Sequence, residues 1–71
     1  MEESHNNGIL LSDKEEKILK MMAAGMKSTE IADALQLSLP AIKWYRKRLK
    51  TKFSAATTGE LLVKAVTQKI L

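Results

Sequence analysis

The chain has 71 residues, with 12 lysines and arginines against 8 aspartates and glutamates, one histidine and no cysteine. It therefore holds one small domain at most and has no disulfide, thiolate metal site or cysteine nucleophile. No apolar run approaches the ~20 residues of a membrane span, and the opening MEESHNNG is acidic and polar, unlike a secretory signal, so the expectation is a soluble, cytoplasmic chain.

Residues 1–10 combine Glu2, Glu3, Ser4, His5, Asn6, Asn7 and Gly8 with little apolar content and read as a tail or linker remnant, the fold occupying 11–71. Ser12 followed by Glu15 has the spacing of a capping box, and Leu11, Glu15, Ile18, Leu19 and Met22 recur at helical intervals, which predicts a first helix over about 12–24 closed by Gly25. Ser28 is the next candidate N-cap, and Ile31, Ala32 and Leu35 share a face, predicting a short helix over about 28–35. Ser38 with Pro40 in the following turn opens a third helix, about 39–53. Thr57 or Thr58 caps a fourth, which turns Leu61, Leu62, Ala65, Val66 and Ile70 towards the core. All elements are helical, and the short second helix followed closely by a basic third one fits a helix-turn-helix pair.

Charge is concentrated on that third helix. Residues 1–37 carry seven acids and four bases, whereas 38–58 carry six bases and no acid, a distribution that favours a polyanionic partner. At about 100° per residue, Ile42, Tyr45, Leu49 and Phe53 fall on one stripe, while Pro40, Trp44, Lys47 and Thr51 lie opposite, flanked by Lys43 and Arg48, with Arg46 and Lys50 at the border. An indole on a cationic face is either a rim residue covering a neighbouring helix or a group that enters a major groove, where it meets a thymine methyl or the sugar-phosphate wall. Lys43 and Lys47, one turn apart, suit guanine edges or nearby phosphates, or are simply solvated. Arg46, Arg48, Lys50 and Lys52 are expected along phosphates, giving affinity with little sequence choice.

The stretch from Leu11 to Leu71 resembles the LuxR-type (GerE- or NarL-type) DNA-binding domain of bacterial transcription regulators and response regulators. The matching pieces are LSDKEEKIL, MMAAGMKSTEIADALQLS and AIKWYRKRLKTKF, in the family's order and spacing. The resemblance implies an all-α, four-helix (tetrahelical) helix-turn-helix domain that binds double-stranded DNA as a homodimer, with RNA polymerase as a further partner and no cofactor. Carried over by position, it puts Lys43, Trp44 and Lys47 in the major groove, and Ser28, Thr29, Lys50 and Lys52 near phosphate. Val63 and Thr67 fall on the dimer surface of the fourth helix, or are two ordinary exposed residues. Ala41 stands where the family usually has threonine, Tyr45 where it has histidine, and SAATTGE lacks the family's usual glycine and basic residues. These departures imply weaker phosphate anchoring there and more of the affinity on the third helix.

Two other classes share some of these features. A helical protein-interaction module could dock an acidic partner on the basic face, and a sigma-factor-like, polymerase-associated promoter-binding region shares the helix pair. Enzyme activity is the class least favoured: Asp13, Glu15, Glu16, Glu30 and Asp33 have cap or surface explanations, Ser12, Ser28 and Ser38 read as caps, and no Gly-rich phosphate loop is present.

Overall fold

The computed structural model describes residues 9–71, and within them the chain forms four α-helices and no strand. They are α1 (Asp13–Ala23), α2 (Ser28–Leu35), α3 (Leu39–Lys52) and α4 (Thr58–Thr67). The body of the 1–10 tail, His5 included, lies outside the described residues. Of its last two positions, Ile9 packs against the core and Leu10 is exposed.

Each helix begins where a side chain satisfies an early amide. Ser12 Oγ accepts from the Glu15 amide (3.1 Å) while Glu15 Oε1 accepts from the Ser12 amide (2.9 Å), which completes the capping box. Ser38 accepts from the Ala41 amide and Thr57 from the Glu60 amide. At α2 the expectation needs correction. Lys27, not Ser28, is the N-cap, and the start is held by Glu30 accepting from the Lys27 amide (2.8 Å). Ser28 lies in the first turn, so its hydroxyl is available to another helix.

The four C-termini close in one way. Beyond each helix a residue with positive φ turns the chain back: Gly25 (88°), Gln36 (56°), Ser54 (54°) and Lys69 (62°). The amide of the next residue then reaches an earlier carbonyl: Met26 to Met21, Leu37 to Ala32, Ala55 to Lys50 and Ile70 to Ala65. This is the Schellman arrangement, and it delivers an apolar residue to the protein each time, since Met26, Leu37, Ala55 and Ile70 all pack against the core. Three of the four turning residues carry a Cβ, which disfavours the left-handed region. Gln36→Gly in the exposed turn between α2 and α3 is therefore expected to stabilise the fold by about 0.5–1 kcal/mol, raising Tm by several degrees in a thermal melt followed by circular dichroism.

Helix α3 packs against α1, α2 and α4. Its stripe of Ile42 (0% exposed), Leu49 (0%) and Phe53 (3%) meets Ile18, Leu19, Ile31, Leu61 and Ala65 in one core, with Tyr45 half-buried beside it. The dry face predicted for α3 is thus the keel of the domain. One core assignment fails. Val66 is 60% exposed, because α4 packs on α3 by a narrow face centred on the buried Leu61 and Ala65, and Val66 is turned away from it.

Candidate nucleic-acid interface

The side of α3 opposite the core is open. Pro40, Lys43, Trp44, Lys47, Arg48 and Thr51 are all exposed, and Trp44, Lys47, Arg48 and Thr51 line a shallow depression on this face. Trp44 is therefore not a rim residue tucked under a neighbouring helix. Its indole keeps more than half of its surface in solvent. Its ring stands edge-to-face on Tyr45, with centroids 5.0 Å apart and planes at 79°, and the guanidinium carbon of Arg48 lies 5.4 Å from its centroid.

The six cations of α3 divide into two groups. Lys43, Lys47 and Lys50 donate to no protein acceptor among the described residues, while the other three are tied into the fold. Arg46 donates through Nη1 to Ser28 Oγ (2.9 Å) and through Nη2 to Thr58 Oγ1 (3.0 Å), so one guanidinium joins the starts of α2 and α4 to the middle of α3. Arg48 donates through Nε to Glu15 Oε2 (2.9 Å). Lys52 donates to Glu15 Oε1 (2.7 Å) and to the Leu10 carbonyl (2.9 Å).

Glu15 is the residue whose importance its pattern did not reveal. Its spacing marks it as a cap, yet it is 3% exposed and receives two cations from α3, 33 and 37 positions along the chain. Burial alone would raise its carboxyl. Hydrogen bonds from Lys52, the Ser12 amide and Arg48 outweigh that and hold it at about 2. An acid at an inward-facing helical position is the one signal that could have pointed to such partners.

Thr29 is exposed at the start of α2, close in sequence to the Ser28–Arg46 bond. On α4, Val63 (65% exposed) and Thr67 are exposed as expected, and with Val66 and the half-buried Leu62 they line an apolar depression. This patch lies on a different helix from the basic face.

The family described as "Bacterial regulatory proteins, luxR family" matches residues 10–65, which include all of α1, α2 and α3 and most of α4. The chain belongs to the luxR family. The BvgA proteins of Bordetella pertussis and Bordetella bronchiseptica, whose names describe positive transcription regulators of virulence factors, are each 36% identical to it over 53 residues. That match covers 75% of this chain and 25% of each relative, so the chain spans about a quarter of the length of the curated relatives it matches. The four helices found here are the all-α helix-turn-helix architecture that the luxR resemblance implies, with α2 and α3 as the helix pair.

Proposed function

We propose that this luxR-family chain is the DNA-binding domain of a bacterial transcription regulator, that it binds double-stranded DNA sequence-specifically, and that α3 lies in the major groove. The observation that carries the reading is a single exposed face of α3 bearing Lys43, Trp44 and Lys47, on a helix whose opposite face is fully committed to the core. A helix about 10–12 Å across fits a groove about 12 Å wide. Lys43 and Lys47 supply ammonium donors for guanine O6 and N7, and the indole supplies an apolar surface for a thymine methyl or the sugar wall.

Phosphate anchoring falls to Ser28 and Thr29 at the start of α2, where the helix dipole favours an anion, and to Lys50 on the flank of α3, while Arg46 and Lys52, expected along phosphates, are engaged by Ser28, Thr58 and Glu15. Dimerisation on DNA uses α4. Val63, Val66 and Thr67 of one copy meet the same patch of a second, a self-complementary pairing that hides apolar surface and sets two half-sites about one helical turn apart.

Selection of bound duplexes from a random pool, followed by competition against a scrambled duplex, tests the reading. Lys43→Ala and Trp44→Ala are each expected to cut the preference for the selected duplex, by about 1–3 kcal/mol where the side chain reads a base edge well. Lys50→Ala is expected to weaken all duplexes alike and to lower the salt slope by about 1. A pool from which no duplex is enriched overturns sequence-specific binding and favours a module that docks an acidic protein on this face.

A further inference from the structure

Arg48 stands on the open face of α3, where charge counting assigns it to a phosphate, yet its guanidinium already has two partners in the protein. Its Nε donates to Glu15 Oε2 at 2.9 Å, and its carbon lies 5.4 Å from the centroid of the Trp44 ring. Glu15 is a fixed post for it. Its other oxygen accepts from the Ser12 amide and from Lys52 Nζ (2.7 Å), and the side chain is buried between α1 and α3. Tyr45, half-buried against the core, also meets the Trp44 ring edge-to-face. The solvent-facing indole is thus bounded by a ring anchored in the core and by a guanidinium anchored on a buried carboxylate.

We propose that Arg48 is a positioning residue for Trp44 and not a phosphate ligand: held by Glu15, it fixes the indole in one orientation on the free protein and thereby sharpens discrimination between duplexes. The proposal rests on the DNA-binding reading above. Two physical points favour it. Swinging the guanidinium out to a phosphate would take from a buried carboxylate oxygen the Nε–H bond it now accepts, which is costly in a partly dry site. An exposed aromatic side chain also loses rotamer freedom when it binds, and restraining it beforehand removes part of that cost.

Trp44 is the sole tryptophan, so its fluorescence reports on the indole directly. The experiment compares the parent chain with Arg48→Ala and Arg48→Lys in two measurements: time-resolved anisotropy of Trp44 without DNA, and binding to selected and scrambled duplexes across a salt series. Arg48→Ala is expected to increase local indole motion and to lower affinity for the selected duplex about tenfold, in keeping with removal of one cation–π restraint, while the scrambled duplex and the salt slope are unchanged. Arg48→Lys is expected not to restore the preference, because an ammonium cannot donate sideways to Glu15 and lie flat on the ring together. Equal weakening on both duplexes with a slope smaller by about 0.9 would identify a phosphate ligand and overturn the proposal. Unchanged anisotropy in Arg48→Ala overturns the positioning role while leaving DNA binding intact. Absence of any preferred duplex for the parent chain overturns the role through the binding reading itself.

Discussion

Leu49→Ala is expected to leave the domain largely unfolded at room temperature and to abolish duplex binding at moderate protein concentration. Leu49 is 0% exposed and sits at the centre of the α3 stripe that α1, α2 and α4 share. Truncating such a leucine costs about 2–5 kcal/mol, and a single core in a chain below ~70–80 residues rarely supplies more than about 3–5 kcal/mol. The 14 residues of α3 have little to fall back on, since an isolated helix of that length is marginal in water and this one carries six like charges. Urea titration followed by circular dichroism measures the loss. Because a ligand that binds only the folded form stabilises it by mass action, a saturating selected duplex is expected to restore helicity to Leu49→Ala. Retention of the parent midpoint would mean that the core does not depend on α3 as described.

Acid is expected to destabilise the domain through Glu15. Its carboxyl is held at about 2 in the folded chain against an ordinary value of 4.5. A group whose folded value is depressed contributes stability that is fully present above the unfolded value and is lost as pH falls through the folded one. The window is therefore from about 4.5 down to about 2. At 1.36 kcal/mol per pH unit the linkage would exceed ~3 kcal/mol, but Arg48 is half exposed, and solvent screening brings the expected loss to about 2 kcal/mol. Glu60 acts in the same sense, its carboxyl lowered by the Ala56 amide and by Lys64. Urea midpoints measured from about pH 6 to about pH 2.5 should fall steadily for the parent chain and much less for Glu15→Gln, which starts lower at neutral pH. Parallel pH profiles for the two chains would remove Glu15 from the account.

Much of the architecture was written in local signals. Ser12, Ser38 and Thr57 each carry a short hydroxyl three residues before the amide they cap, and the Ile42–Leu49–Phe53 stripe has a period that only a helix with one dry face can satisfy. The exposed face bearing Lys43, Trp44 and Lys47 followed from the same wheel. What local pattern could not show were the reversals at Gln36, Ser54 and Lys69, where no glycine marks the left-handed residue and tertiary packing of the next side chain overrides its intrinsic reluctance. Nor could it show which cations are spoken for. Arg46, Arg48 and Lys52 look alike in a charge run, and only the approach of α1, α2 and α4 distinguishes them from Lys43, Lys47 and Lys50. Val66 faces solvent for a related reason. The apolar arc of α4 is wider than the strip that α3 covers, and the remainder faces outwards with Val63.

The Arg46 bridge has a directional consequence. A guanidinium has hydrogens to give and no lone pair to accept with, so the oxygens of Ser28 and Thr58 are both receivers in these bonds. Each hydroxyl proton must then point away from the arginine, which leaves two short O–H arms steered by one cation at the mouths of two helices. Replacing Arg46 by leucine would keep both alcohols and let them rotate, turning an aimed pair into two loose ones.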